Sequence, residues 1–383
     1  MRFNYNGKWK KYELNEIIVF FKGNGFSKND ISSEGKPIIL YGELYTTYKD
    51  EIIHTIISKT NNTSNSDFLS KFNDIIIPSS GEDPIDIAVA RVLLKDNIIL
   101  GGDLNVLRPK VNLSSAFLSY ELNGKRKLDI AKKAQGKSIV HLHNSDLKTI
   151  KVFLPNFEEQ TKIANLLQAI DKKINTQIKI IEGYKSLING IIETVLLNSM
   201  GEEISLQTVL SEQKEYSPKN NDYPHVTLSK DGIYEKGERY DRDFLVKNEE
   251  KEYKVSHYND ICYNPANLKF GVITINKFGD CIFSPIYVTF KINKKYNPDF
   301  IALCICRNNF INRARKFEQG TVYERMSVSP DDLLSMTIKL PSLEMQNTIV
   351  NNVTSIKNKI MIEEKFLKAL NDEKRYLLNN LFI

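Results

Sequence analysis

Cysteine is scarce and poorly placed for bridging. Only Cys262, Cys281, Cys304 and Cys306 occur in 383 residues, all in the second half, and no two form a CxxC pair. Their spacing fits no common zinc pattern, so they read as reduced thiols of an intracellular, cytoplasmic protein, where disulfides are rare. No apolar run reaches about 18 residues, which excludes a membrane-spanning helix and any membrane partner of that kind. The opening MRFNYNGKWKKYELNE has no stretch of signal-peptide length, and the apolar Ile17–Phe21 is too short. Charge of one sign is also missing. Lys and Arg number 53 against 47 Asp and Glu, a net charge of +6, which permits a nucleic-acid partner without requiring one.

Signatures of catalysis are absent as well. There is no Gly-x-Ser-x-Gly elbow and no zinc-protease helix. Gly23-Asn24-Gly25 alone is not a dinucleotide fingerprint. Ala131–Ser138 matches a relaxed phosphate-loop pattern ending Gly136-Lys137-Ser138. That mechanism needs a buried strand before the loop and a helix after it, whereas a basic, helix-like segment precedes it and Ile139-Val140 follows. His141 and His143 would share one face of a strand, but no Cys or acidic partner recurs nearby. Pairs such as Glu82-Asp83 sit in turns and read as solvated loops. No catalytic, cofactor-binding or metal-binding residue is assigned, and the chain reads as non-catalytic.

What is present is a duplication. The composition, 41% hydrophobic and 26% charged, is that of a globular chain able to bury a core, with length for about two to three domains. Lys151–Ile174 aligns without a gap to Thr337–Ile360 at an offset of 186 residues: Pro155 with Pro341, Gln160 with Gln346, Ile163 with Ile349, Ile170 with Ile356. Asp146-Leu147 matches Asp332-Leu333 and Asp74-Ile75 matches Asp260-Ile261 at the same offset, and Gln135-Gly136 resembles Gln319-Gly320. A period this long means two copies of a domain rather than a solenoid.

After each proline the apolar residues step by four and three. The first seam is Ile163, Leu167, Ile170, Ile174, Gln177, Ile181, Tyr184, Ile188, Ile191 and Val195. The second is Ile349, Val353, Ile356, Ile360, Glu363, Leu367, Leu370, Leu377 and Leu381. This heptad spacing predicts coiled-coil helices of about 40 residues, or roughly 60 Å, interrupted only by Gly183 and Gly190. Each needs a partner, and the other copy is the nearest. An antiparallel pair brings the midpoints together, so Gln177 and Glu363 are expected to face each other as a register-fixing polar layer. A solvent-facing position for both is the plainer alternative. Lys374 stands where Ile188 stands and reads as a break in the seam.

The globular parts carry short β-branched runs: Pro37–Leu44, Asp74–Pro78 and Asn97–Pro109 in the first, and Tyr223–Leu228, Asp260–Asn264, Gly271–Ile275 and Cys281–Ile292 in the second. Each ends in an expected helix, Ser114–Lys133 and Pro298–Phe317. The fold class expected is α+β, with two mostly β units and two long helices. The divisions expected are 1–150, helix 151–200, 201–336 and helix 337–383, with Asn198–Glu203 as the joint.

Basic residues gather at the same place in both copies. Lys125, Arg126, Lys127, Lys132, Lys133 and Lys137 precede or enter the Gln135-Gly136 region, and Arg307, Arg313, Arg315 and Lys316 precede Gln319-Gly320. A charge run is most often a solvated helix face, but such a face has no reason to recur in register. Lys and Arg clustered this way neutralise phosphates. The adjoining Ser138, Thr321, Tyr323 and Arg325 offer groups suited to reading base edges. Asn264, Asn267 and Lys269 are further candidates.

These segments resemble the specificity subunits of type I restriction–modification systems. Leu154–Ile174 looks like the first conserved helical region of that family, and Leu340–Val350 like a more divergent second. Ile77–Asp83, Gly101–Pro109, Phe117–Leu122, Asp231–Phe244, Tyr263–Ile273 and Ser284–Phe290 look like its target-recognition domains, so the resemblance covers nearly the whole chain. It implies a subunit without catalysis that reads a bipartite, asymmetric site on double-stranded DNA, one half per domain. Its paired helices would serve as a spacer and dock two adenine-N6 methyltransferase subunits, which bring S-adenosylmethionine. A motor-nuclease (restriction) subunit using ATP and magnesium can join. Readers on one DNA face would engage sites about one helical turn, roughly 34 Å, apart. A decoy that redirects or blocks a host methyltransferase, and a coiled-coil adaptor without a DNA role, are the alternatives. Lys374, and Glu344-Met345-Gln346 in place of Glu158-Glu159-Gln160, depart from the pattern of the first copy.

Overall fold

The computed structural model describes residues 7–62, 68–198, 201–218, 222–230, 232–235, 252–319 and 326–383, with backbone alone for 196–198. The chain forms two compact units. One is Met1–Ile180 with Glu363–Ile383, and the other is Ile181–Ile362. Each takes one half of each long helix.

The first unit is built on a five-stranded sheet in the order Ile18–Lys22, Leu104–Pro109, Ile75–Pro78, Arg91–Leu93, Ile52–Ile53. All its pairings are antiparallel except the last. Its β-branched side chains are buried except Val19 on the edge strand, as a sheet largely covered on both faces requires. A separate pair joins Lys10–Glu13 to Lys151–Leu154, directly before the first long helix. The second unit repeats this plan with a four-stranded antiparallel sheet, Leu210–Gln213, Val288–Ile292, Ile261–Tyr263, Ile273–Ile275. Glu202–Ser205 pairs with Thr337–Leu340 before the second long helix.

The sequence matches between copies mark shared backbone devices. Asn73 and Asn259 both hold positive φ, 70° and 73°. In each case the following aspartate, Asp74 or Asp260, closes the turn by accepting the N–H of Lys71 (2.7 Å) or His257 (2.8 Å). Asparagine tolerates this left-handed region better than most residues. The paired glutamines act alike too. Gln160 Nε2 donates to Pro155 O at 2.9 Å and its Oε1 accepts Ser114 N at 2.9 Å. Gln346 Nε2 donates to Pro341 O at 2.9 Å and its Oε1 accepts Asn297 N at 2.9 Å. Ser114 and Asn297 are the N-caps of the helices Ser115–Asn123 and Pro298–Ile305.

The long helices run Phe157–Asn198 and Leu343–Asn380, the first passing through both glycines. Their heptad seam faces inward. Ile163, Leu167, Ile170, Gln177, Ile181, Ile349, Val353, Ile360 and Leu370 are buried, and Ile174, Ile188, Ile356, Glu363 and Leu367 are half-buried. In the first unit the start of one helix shares a core with the end of the other: Ile163 and Leu167 pack with Leu377, Leu378, Leu381 and Phe382. In the second unit Ile188, Ile191, Ile192 and Val195 pack with Ile349 and Val353. Both arrangements are antiparallel. Gln177 Nε2 donates to the Glu363 carboxylate and, at 3.2 Å, to its carbonyl, so the expected polar layer forms inside the first unit.

Three expectations need correction. The helix expected over Ser114–Lys133 is two, Ser115–Asn123 and Lys127–Ala131, because the chain turns at Gly124. A Cβ there would lie 2.9 Å from Leu378 O, so only glycine fits against the second long helix. The helix expected over Pro298–Phe317 is likewise divided, into Pro298–Ile305, Asn308–Ala314 and a 3₁₀ turn Arg315–Phe317.

Lys374 does not break the seam. Its Nζ lies 2.6 Å from Asp171 and 2.7 Å from Glu51, both carboxylates almost wholly buried. The Tyr120 hydroxyl donates to the other oxygen of Asp171. Burial alone would lower the lysine's pKa, but Glu51 and Asp171 outweigh it and hold it above its ordinary value. Removing one member of a buried pair leaves an uncompensated charge, typically a loss of about 3–5 kcal/mol. Arg91, buried nearby and feeling Glu51, Asp50 and Asp171, softens that loss. Lys374→Met is therefore expected to destabilise the first unit by about 3 kcal/mol, read as a lower urea midpoint. The triple variant Lys374→Met, Asp171→Asn, Glu51→Gln should recover most of it. A triple variant no better than the single would remove the ion cluster as the cause.

Candidate nucleic-acid interface

In the first unit the basic segment leads into a hairpin. After the helix Lys127–Ala131, Gln135–Gly136 pairs antiparallel with Val140–His141, which pairs in turn with Ser80–Gly81. Gly136 has φ 141°, and a Cβ on it would meet Ile139 O at 1.9 Å, so this tight turn demands glycine. The segment resembling a phosphate loop is thus a hairpin turn followed directly by a strand rather than a helix. Lys125, Lys132, Lys133, Lys137 and Ser138 are exposed and Lys127 is half-buried. Ile139 is 57% exposed at the tip. The His141 and His143 rings stack with centroids 6.2 Å apart. His141 Nδ1 lies 3.0 Å from Ser80 Oγ.

Arg126 is the exception in this segment. Its side chain turns inward to Glu121 at 3.1 Å, reaches the Ile383 carbonyl, and lies 4.9 Å from the Phe153 ring centre. It braces the core and adds little to the charged surface.

In the second unit the four arginine and lysine candidates divide. Arg307 is spent on Glu193 at 3.1 Å and is largely covered. Arg313 donates to Thr337 O at 2.9 Å and Arg315 pairs with Glu318 at 3.3 Å, both remaining exposed, and Lys316 is exposed. Gln319 forms a single antiparallel bridge with Ser327, at the place matching the Gln135–His141 pairing of the first unit. Thr321, Tyr323 and Arg325 lie outside the described residues. Asn264 is buried and works as a cap, its side chain accepting from Ala266 N at 3.1 Å. Asn267 is half-buried in the same 3₁₀ turn. Lys269 is exposed above the Phe270 ring, 5.2 Å from its centre, and Phe270 is itself 65% exposed.

Sequence reasoning passed over Ile139 and Phe270, because an apolar residue is read as core unless its exposure is known. Lys277 also lies over the exposed Tyr258, at 5.0 Å, but its ammonium is paired with Asp299 at 2.9 Å. A cation beside an exposed ring suits both a phosphate and the face of a base.

The cysteines are unpaired. Burial pushes the Cys281 and Cys304 thiols up to about 12, so both are protonated at neutral pH. Among the described residues no group of three or more His, Cys, Asp or Glu is placed to hold a metal ion. No described helix is long and apolar enough to cross a membrane.

Residues 6–182 match the type I restriction modification DNA specificity domain. The chain is 20% identical to the specificity subunit of type I restriction enzyme MjaVIII of Methanocaldococcus jannaschii, over 97% of this chain and 91% of that one. It is 24% identical to the putative MjaX specificity subunit of the same organism, over 97% and 92%. Its fold is similar to the crystal structure of a type I S subunit from M. genitalium, with TM-score 0.59 and 16% identity over 100% and 98% of the two chains. A chain from a structure describing assembly and conformational transition of a type I system gives TM-score 0.59 and 13% identity over 98% and 99%.

The Glu121–Arg126 pair generates a pH prediction. Burial pushes the Glu121 carboxyl up to about 7, against the opposing pull of the Phe153 N–H and Arg126. Its Oε2 has no hydrogen-bond partner among the described residues. The folded carboxyl then holds a proton that the unfolded chain releases near its ordinary 4.5. The stability this group contributes is full below that value and is lost as pH rises through about 7. Glu121→Gln should flatten this fall, seen as a smaller difference in urea midpoint between acidic and mildly alkaline buffer. An unchanged difference would mean that the carboxyl titrates normally.

Proposed function

We propose, for a chain that belongs to the specificity subunits of type I restriction–modification systems, that each unit reads one half of a bipartite DNA sequence. The observation that carries this is the duplication of one device. Each unit has its own core, a basic segment, and an antiparallel pairing that follows it at the matching position, Gln135 with His141 and Gln319 with Ser327. The chain supplies recognition, and the chemistry belongs to its partners. Target-recognition domains at 1–150 and 201–336, and spacer helices at 151–200 and 337–383, are the division this reading assigns.

The exposed and half-exposed cations clamp phosphates, and the segments that follow them meet base edges. Lys125, Lys127, Lys132, Lys133 and Lys137 serve the first half-site, and Arg313, Arg315, Lys316 and Lys269 the second. The two units share framework but differ in the residues they expose, so their half-sites differ and the target is asymmetric. Two adenine-N6 methyltransferase subunits dock on the paired helices and bring S-adenosylmethionine. A motor-nuclease subunit, where present, brings ATP and magnesium. The comparisons do not favour the decoy or the adaptor.

Omitting this chain from a methylation-free host that expresses its methyltransferase should abolish a bipartite N6-methyladenine motif seen in its presence. Methylation indifferent to the chain would overturn the reading. Within the assembled complex, Lys132→Glu with Lys133→Glu should weaken binding to every sequence and reduce the slope of log K against log salt by about 2. An unchanged slope would place the clamp elsewhere.

A further inference from the structure

We propose that the hairpin Gln135–His141 enters the major groove of the first unit's half-site, and that Ile139 at its tip rests against the methyl group of a thymine. This rests on the DNA-reading function above and names the contact that discriminates bases.

A two-stranded β ribbon fits the major groove, and an apolar side chain there can recognise the thymine C5-methyl. The hairpin has the dimensions and stiffness for this. Its strands pair with each other and with Ser80–Gly81, and Gly136 closes the turn so tightly that no side chain is tolerated. The three residues it presents differ in chemistry. Lys137 carries a charge for phosphate, Ser138 a hydroxyl that donates or accepts, and Ile139 a branched apolar group 57% exposed. A lone exposed isoleucine is ordinary on a protein surface. One that directly follows a cation and a hydroxyl on a braced turn, with Lys132 and Lys133 exposed just before it, is presented to something.

The second unit supplies independent support. Gln319 bridges to Ser327 as Gln135 pairs with His141, but seven residues intervene instead of five. Met326, next to Ser327, is 43% exposed. The bridge is kept while the sequence between its ends changes in length and composition. A reading head for two different half-sites needs that combination, and a structural turn has no use for it. His141 adds a polar group beside the tip: Ser80 engages Nδ1, and Nε2 has no partner among the described residues.

The test uses the complex assembled with its methyltransferase subunits and duplexes carrying the motif from the methylation map. Each thymine of the first half-site is replaced in turn by uracil, which removes only the methyl group. The wild type should lose about three- to fivefold in affinity at one position, the value of about one buried methyl. Ile139→Ala should bind the unmodified duplex weaker by a similar factor and be indifferent to that uracil. Lys137→Ala should bind all duplexes weaker and keep the uracil penalty. Co-purification of each variant with the methyltransferase reports folding. A wild type indifferent to every uracil, or an Ile139→Ala variant that keeps the penalty or weakens on all sequences alike, would overturn the proposal. A wild-type complex that methylates no bipartite motif would instead overturn the DNA-reading function beneath it.

Discussion

Everything the two units expose depends on a side-chain amide that each keeps hidden. Gln160 and Gln346 tie the first turn of a long helix to the N-cap of a short one, through one accepted and one donated hydrogen bond. Both glutamines are buried, so losing either leaves a half-buried backbone N–H without its partner, which is costly. The same bonds fix the angle at which helix and globular part meet within a unit. The short helix leads into the basic segment, and the basic segment into the hairpin. Orientation of the exposed residues therefore begins at an internal amide.

The long helices and the duplication were legible because they rest on periodicity and repetition. A heptad seam repeats its instruction every turn, and it survives two glycines and a polar layer. The Gln177–Glu363 contact could be anticipated because it follows from chain direction alone. The break at Gly124 was hidden, since its cause is the backbone of Leu378, more than 250 residues away. The short strands are set by pairing partners rather than by their own composition. That is why Pro37–Leu44 yields only the strand Lys36–Ile39, followed by the helical turn Glu43–Thr46.

Charge was legible as composition but not as placement. Arg126 sits in a run of basic residues and faces inward, while its neighbours face water. Lys374 looked like a defect in an apolar stripe and proves to be the counter-charge for two acids contributed by distant segments. Both residues pair across long sequence separations, and no local pattern announces such a pairing. The exposed Ile139 and Phe270 are the converse case, in which hydrophobicity misdirects because exposure is decided by tertiary structure. The candidate interface was thus readable in its cations and unreadable in its apolar contacts.

The division of the chain has a consequence for how it is made. The first unit draws its last 21 residues from Glu363–Ile383, including Leu381 and Phe382 in its core. The second unit, Ile181–Ile362, is one uninterrupted segment. On the ribosome, where N-terminal domains ordinarily fold first, the order is reversed. The second unit is fully emerged while the first still lacks the residues that cover Phe117. Through that interval the nascent first unit presents an open apolar face, and a chain released early would keep it.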